Sequence, residues 1–433
     1  MWSDELNGVG CDVEAVGQRA IVPFHIAFFN RSYYPDTAAT GQLLTELCEG
    51  LVQEHRCRVS VVTGMPVACE GDDKGAVGRE IVCGSEMRQG VEILRSRGTR
   101  YSKQRFAGRL SNYVTYFLSA TLAGFRLDRP DVIVALTDPP IIGLAAYAIA
   151  RRFRVPFVMS YQDIFPEVAR LLDGFQSKII NRMLQNINCF LARKATKNIV
   201  LGETMRRRLV DGKGADPAST VVIPNWADVS KITPGPKRNP FSERHGLTDK
   251  FVVMHSGNIG LSQDLGMVVE AAALVRGTPE IEIVMIGDGV EKPRLMRQAE
   301  TLNLRNMRFL PFEPKERLNE SFASADIFVV SLKKGLAGYI VPSKLYGILA
   351  AGRPYIAAVE DEGEVAEVTR KYDCGLLAEP GNAQDLARKI GFLYQDRELV
   401  RRMGERARRA SLEFDRVVQV RSYYTLFREL AGG

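Results

Sequence analysis

Apolar residues in this chain come in short unbroken runs separated by amphipathic stretches, and the alternation repeats along most of its length. The run at 21–29 (IVPFHIAFF) lacks polar alternation, as a strand buried on both faces of a parallel sheet requires. A polar turn over 30–40 follows. From Gly41-Gln42 onward Leu43, Leu44, Leu47 and Leu51 recur at helical spacing, and RVSVVT at 58–63 reads as the next strand. This is a strand–loop–helix–strand unit of a doubly wound sheet, whose first loop lies where such sheets bind ligands. Further strands are predicted at 91–94, 132–136, 156–161, 198–201 and 220–224, with a helix over 141–151. Residues 224–240 hold prolines 224, 234, 236 and 240 and read as a linker.

The alternation then restarts. Strands are predicted at 251–255, 281–286, 307–312, 326–332, 354–359 and 375–377, and Leu265, Val268, Val269, Ala272 and Val275 line one helix face. A helical tail over 412–430 carries Phe414, Tyr423, Tyr424 and Phe427. The expected organisation is a loose tail at 1–20, an α/β domain at 21–228, a linker at 229–248, a second α/β domain at 249–411 and a final helix at 412–433. Two such domains leave a cleft between them as the natural ligand site.

A length of 433 residues suits two or three domains, and 45% hydrophobic with 25% charged residues is ordinary for a globular chain. The net charge of +7 favours acidic partners: nucleotide phosphates, nucleic acid or an anionic membrane. Cysteines 11, 48, 57, 69, 83, 189 and 374 include no CxxC pair and read as reduced thiols of a cytosolic protein. The four histidines are far apart, which argues against a histidine-rich metal site. Asp138-Pro139-Pro140 interrupts the longest apolar stretch, 132–150, so no membrane-spanning helix is predicted. Asp4, Glu5 and Glu14, with no apolar run beside them, do not read as a signal peptide. From 95 to 113 the chain (RSRGTRYSKQRFAGRLSNY) carries Arg95, Arg97, Arg100, Lys103, Arg105 and Arg109 with no acid among them. That stretch is either a solvated loop and helix face or a patch for an anionic acceptor or membrane surface. No nucleic-acid recognition module accompanies it.

Candidate chemistry concentrates at 335–354 (GLAGYIVPSKLYGILAAGRP). Pro342 suits a helix start. Ser343 and Lys344 then fall where free N–H groups and the helix dipole attract phosphate, and Gly352 with Pro354 stops the helix. A capped surface helix is the plainer alternative. The turn Gly257-Asn258-Ile259-Gly260 sits between a strand and a helix, where glycines let backbone approach a phosphate or simply make a tight connection. Gly287-Asp288-Gly289 ends another strand. GxGxxG, Walker A and DxD patterns are absent, so a diphosphate here would be neutralised by the protein, through helix starts, Lys344 and Arg353. Asp163 and Glu167 follow the strand at 156–161 and lie at a sheet's carboxyl edge, although Asp163 could instead cap the next helix.

The order SGNIG, MIGDG, ADIFVVSL, VPSKLYGILAAGRP and a C-terminal helix resembles the retaining GT-B glycosyltransferases of glycosyltransferase family 4, from about residue 21 to the end. FFNRSYYPDTAATGQLLTELCEGL and YQDIFPE resemble a bacterial envelope-polysaccharide subgroup of fucosamine-transferase and colanic-acid type. The resemblance implies a fold of two Rossmann-like doubly wound domains facing a central cleft, with the last helix crossing back onto the first domain. It implies a hexosyl or N-acetylhexosaminyl transferase that uses a nucleotide-diphosphate sugar, a UDP-sugar, without metal or other cofactor. The acceptor would be a lipid-linked saccharide, and the protein cytoplasmic and peripheral on the membrane.

Residue by residue, Gly257, Asn258 and Gly260 match the phosphate-side turn, and Gly287 and Gly289 the donor-domain glycine turn. The stretch 308–312, with Phe309 and Pro311, matches the one whose backbone meets the base. Ser343 and Lys344 match the phosphate-contacting pair, and Gly41 and Gln42 the first domain's diphosphate loop. Asp163 matches an acid that positions the acceptor or steadies charge at the sugar carbon, with Lys344 as its catalytic counterpart. Arg97, Arg100, Lys103, Arg105 and Arg109 are candidates for the acceptor or membrane side. Many family members carry two glutamates where this chain has Tyr339 and Gly347. That departure motivates one alternative, a non-catalytic nucleotide-sugar-binding protein; a GT-B nucleotide-sugar epimerase, which keeps the fold and changes the reaction, is the other.

Overall fold

The computed structural model describes residues 23–36, 38–66, 82–99, 106–172 and 177–432. The tail at 1–20 and Arg100, Lys103 and Arg105 lie outside the described residues, as does the side chain of Arg109.

The first sheet contains β1 (His25–Phe29), β2 (Arg58–Gly64), β3 (Val82–Arg88), β4 (Val91–Ser96), β5 (Val132–Ala135), β6 (Phe157–Ser160), β7 (Lys197–Val200) and β8 (Thr220–Val222). Their spatial order is β3-β4-β2-β1-β5-β6-β7-β8. Every pairing is parallel except β3 with β4. Edge strand β3 (VCGSEMR) was not legible as a strand, because a one-neighbour strand needs no continuous apolar run. The second sheet contains β9 (Phe251–Ser256), β10 (Ile281–Ile286), β11 (Met307–Leu310), β12 (Ile327–Ser331), β13 (Tyr355–Ala358) and β14 (Gly375–Ala378), ordered β11-β10-β9-β12-β13-β14 and parallel throughout. Strand order reverses beside β1 in one sheet and beside β9 in the other, which opens a crevice at the carboxyl edge of each.

The central strands are buried along their whole length, so apolar runs rather than alternation encode them. On one face of the first sheet, helices Phe106–Gly124, Ile142–Phe153, Lys178–Lys194 and Glu203–Lys213 cover a core that includes Phe29, Tyr116, Ile149 and Leu191. On the other face lie Ala39–His55 and the terminal helix Arg416–Gly432. The terminal helix is fixed by Phe427 edge-on to Phe28 and by Tyr424 stacked on His55.

Two features refine the expected boundaries. Pro240–Arg244 is a short helix held by an Asn239 capping box, and Phe241 and Leu247 are fully buried in the second domain's core. Residues 240–247 are therefore packed structure rather than free linker. The tail breaks at Asp415, where Ala227 N–H donates to Phe414 O and Arg416 N–H donates to Ala227 O. The two places where the chain crosses between domains are thus bonded to each other.

Candidate active site

The site is built on the carboxyl edge of the second sheet. Helix Lys344–Ala350 anchors Leu345, Ile348 and Leu349 in the core, which turns Lys344 back toward the end of β9. Its Nζ lies 3.1 Å from His255 Nε2. A Cβ built on Gly257 would sit 3.6 Å from both Lys344 Cε and Nζ, so the ammonium faces the turn across the space a side chain would fill. Burial pushes the Lys344 amine down to about 7. Burial, and then the Lys344 charge, holds His255 well below its ordinary value. Neutral His255 therefore faces the Lys344 amine at Nε2, which also lies 3.4 Å from Asn258 O. No carboxylate pairs with Lys344 among the described residues. A crowded cation without a counter-charge is a place made for an anion.

The glycines of the two turns serve first to bring loop onto loop. Gly257, Gly287 and Gly289 have φ of 132°, 141° and 155°. A Cβ on Gly287 would come within 1.9 Å of Gly257 O, and one on Gly289 within 2.3 Å of Ile259 O. Ile259 N–H donates to Asp288 O at 2.8 Å, which locks the pair. The N–H groups of Gly260 and Gly289 are taken by Gln263 Oε1 and Asp288 Oδ1. Asn258 remains exposed at the tip. The turn does not run directly into a helix, because a 3-10 segment, Leu261–Gln263, precedes Gly266–Val275. Lys292 Nζ donates to Gly287 O and Leu310 O, tying this platform to the end of β11, where Phe309 is half-buried and Pro311 exposed.

Ser343 stands at the cap of Lys344–Ala350 with no side-chain cap bond, and Pro342 lies one residue outside that cap rather than inside the helix. Arg353 does not join the site. Past the far end of the helix it donates to Gly235 O and Ala323 O and fastens the linker, since its sequence proximity to Lys344 spans the helix's full length.

On the first domain Asp163 follows β6 and is not a helix cap, because the next helix begins at Glu167. Burial, with Asp138 second, pushes its carboxyl up to about 7. Asp138 is the satisfied member of the two: it accepts from Ser32 Oγ at 2.6 Å and pairs with Arg31 Nε at 3.1 Å. The Asp163 side chain has no hydrogen-bond or ion-pair partner among the described residues. Gly41 lies in the first turn of Ala39–His55, where a Cβ would meet Ser32 and the Tyr33 nitrogen at 3.3 Å. It lets that helix press on the Arg31-bearing loop, and Gln42 beside it is half-buried. Arg97 is half-buried just past β4. Arg95 is structural, paired with Glu86 and bonded to the Tyr34 carbonyl.

The two halves meet at these loops. Asp163 forms a bridge with Ile340, and Ile164 N–H donates to Tyr339 O at 3.0 Å. This places Asp163 opposite a residue only four positions before Lys344. Gly338, with φ of 75°, presses against Thr204, and a Cβ there would lie 2.7 Å from Thr204 Cγ2. Glu364 Oε1 accepts from Met205 N–H at 2.8 Å, so an acid of the second domain caps helix Glu203–Lys213 of the first. Tyr339 faces the Arg208 guanidinium, and Gly347 packs on Phe322. The carboxylate that shapes this loop comes instead from Glu360, which accepts from the N–H groups of Gly335 and Ala337.

Sequence reasoning missed His255, Arg31, Glu360 and Glu364. His255 carried a usable signal, being a histidine at the end of an apolar strand directly before the glycine turn. The other three act through contacts distant in sequence.

The family model "Glycosyl transferases group 1" matches residues 237–410, and "Glycosyl transferase 4-like domain" matches 39–226. Among curated relatives, WbjE of Pseudomonas aeruginosa, a glycosyltransferase by its name, is 28% identical over 67% of this chain and 73% of its own length. WcaI of Escherichia coli K12, named for colanic acid biosynthesis, is 28% identical over 60% of this chain and 66% of its own. Among solved structures, Anabaena HepE in complex with UDP and glucose superposes with a TM-score of 0.71 at 18% identity, covering 94% of this chain and 100% of that one. Sucrose-phosphate synthase of Thermosynechococcus elongatus superposes with a TM-score of 0.74 at 16% identity, covering 94% and 99%. With two facing α/β domains and both family models matched in order, the chain belongs to the GT-B glycosyltransferases of the family-4 type.

Proposed function

We propose that this glycosyltransferase moves a hexosyl or N-acetylhexosaminyl unit from a nucleotide-diphosphate sugar, a UDP-sugar, to a lipid-linked saccharide in envelope polysaccharide synthesis, with retention of anomeric configuration. The observation that carries the reading is the Lys344 ammonium, held against the Gly257 turn with neutral His255 and no carboxylate beside it. A diphosphate placed there would restore the amine's charge and gain a charge-assisted bond. The same contact stabilises the leaving nucleotide as the sugar–phosphate bond lengthens. The departing phosphate then takes the acceptor's proton on the same face, so no separate base is needed. Asp163, ionised, steadies positive charge at the sugar carbon or orients the acceptor hydroxyl.

The relatives' names support the polysaccharide setting, and UDP in the HepE complex supports the donor class. Among the described residues no group of His, Cys, Asp and Glu could hold a metal ion, and no helix is long and apolar enough to cross a membrane. Arg97 and the basic run behind it are assigned to the acceptor or membrane side.

The test is a thermal-shift screen of nucleoside diphosphates, followed by sugar donors on the winning base with and without acceptor. Stabilisation by one nucleotide and acceptor-dependent turnover are expected. Donor turnover without acceptor would point to the epimerase, and binding without turnover to a non-catalytic protein.

A further inference from the structure

Arg31 stands two residues past the end of β1, in the crevice where the strand order of the first sheet reverses. Almost every part of it is fastened. Its N–H donates to Asp138 O at 2.7 Å, and its carbonyl accepts from Gly64 N–H at 2.9 Å and from Thr63 Oγ1 at 2.8 Å. A Cβ on Gly64, at the end of β2, would come within 3.0 Å of Arg31 O and 3.1 Å of Arg31 Cγ, so the stem runs over a place kept clear of side chain. Nε donates to Asp138 Oδ1 at 3.1 Å, and the guanidinium carbon lies 5.5 Å from the centre of the Tyr113 ring. Asp138 is held in turn at Oδ2 by Ser32 Oγ, at 2.6 Å.

The fastening leaves the far edge of the guanidinium over. Nη1 and Nη2 of Arg31 donate to nothing among the described residues, and the side chain keeps 28% of its surface exposed. Arg95, at the same edge of the sheet, shows the contrast. Its side chain is 7% exposed, and its nitrogens donate to Glu86, Gly64 O and Tyr34 O. A guanidinium accepts no hydrogen bond, so the open edge of Arg31 can meet only water or an acceptor. A carboxylate on Nε fixes the plane of the fork and leaves its end-on pair of N–H groups for a two-oxygen acid. Asp138 is already engaged at both oxygens, so the pair it makes with Arg31 is an orienting contact and not a closed one.

Position says which reactant brings the acid. The donor's diphosphate is assigned to Lys344, on the other domain. Arg31 instead shares its surroundings with Asp163: Asp163 N–H lies 3.3 Å from Thr137 Oγ1, the neighbour of Asp138, and the Asp138 charge reaches the Asp163 carboxyl. An acceptor whose hydroxyl meets Asp163 therefore has its flanking groups beside Arg31. We propose that Arg31 is an anion subsite of the acceptor half, its end-on N–H pair holding a phosphate or carboxylate carried close to the acceptor's reacting sugar. The proposal rests on the saccharide-acceptor reading above and adds that this acceptor is acidic near its reacting hydroxyl. The acid is either a phosphate on the reducing end of the sugar or the sugar's own carboxylate, and one set of probes separates the two.

The test is saturation-transfer NMR on the whole chain, holding the nucleoside diphosphate that the thermal-shift screen selects, with glucose 1-phosphate, glucuronate and glucose titrated at constant ionic strength. One of the two acids should bind at least tenfold more tightly than glucose. Preference for the phosphate points to a reducing-end phosphate, and preference for glucuronate to a sugar carboxylate. Arg31→Gln should weaken binding of the preferred acid roughly 30-fold, the loss of one charge-assisted pair, and leave glucose binding as it was. Arg31→Lys should keep part of the preference, since lysine retains the charge without the fork. Unchanged nucleotide-induced stabilisation in both variants checks that the fold survives. Acids that bind no better than glucose, or acid binding that survives Arg31→Gln, would overturn the proposal. So would a loss of nucleotide stabilisation in both variants, which would place Arg31 on the donor. If an acid binds through Arg31 but no sugar is transferred to any acceptor, the functional reading fails alone. If transfer proceeds equally to neutral and acidic acceptors and is indifferent to Arg31→Gln, the subsite fails alone.

Discussion

Donor affinity should depend on pH through Lys344. In the free protein its amine is pushed down to about 7, whereas a diphosphate favours the charged form and holds it well above that. Binding then takes up a proton wherever the free amine is neutral. At pH 8.5 uptake approaches one proton, and the free protein's deprotonated fraction weakens affinity at least tenfold relative to pH 6, on the order of 2 kcal/mol. Below about pH 6.5 the dependence from this group vanishes. His255, held well below its ordinary value, stays neutral across the window and adds no compensating proton. The assay is titration calorimetry of the matched nucleotide-sugar in two buffers of different ionisation enthalpy, at several pH values. Lys344→Met should weaken binding by about 2–3 kcal/mol at pH 7 and flatten the profile. The same variant should be more stable without ligand. A lysine whose folded value lies below its unfolded one costs stability in full below that folded value, and the cost fades as pH rises toward the unfolded value. A pH-independent affinity with no proton uptake, or a Lys344→Met protein that keeps the wild-type profile, would refute the assignment.

Asp163 gives the opposite sign. Its folded value near 7 lies above the ordinary carboxyl value, so ionisation costs stability as pH rises between them. Asp163→Asn should therefore stabilise the fold at pH 8 by about 1–3 kcal/mol after allowance for its partial exposure, read as a higher melting temperature, and have little effect near pH 4. Its transfer rate should fall at least tenfold while donor affinity holds. Glu364→Ala removes a cap that crosses the domain interface and should cost about 1 kcal/mol in denaturant unfolding. Gly338→Val places a branched side chain at φ of 75° against Thr204, so the rate of transfer should drop while nucleotide binding, measured by thermal shift, persists. Gly287→Ala should abolish nucleotide binding itself, because its Cβ would overlap Gly257 O at 1.9 Å.

The central strands were legible because burial on both faces leaves an unmistakable apolar run, as in IEIVMI of β10 and IFVVS of β12. Edge strand β3 was not, since one open side relieves that demand. The proline-rich segment misled at its far end: composition registers Pro240 but not that Phe241 and Leu247 are buried in the second domain's core, beside Phe322 and Phe328. Within the site, Lys344 and the glycine turns could be placed from local pattern because strand ends and helix starts fix them. Arg353 could not be excluded by spacing, since only the helix geometry sends it to Gly235 and Ala323. Glu364 lay beyond reach for the same reason, as its partner is Met205, 159 positions earlier.

The most direct test of the central claim is transfer from the nucleotide-sugar that stabilises the protein to a lipid-linked saccharide, with the product's anomeric proton coupling read by NMR beside that of the donor. Acceptor-dependent product of the donor's own anomeric configuration is expected, and it is lost in Lys344→Met. An inverted product, or undiminished transfer by Lys344→Met, would contradict it.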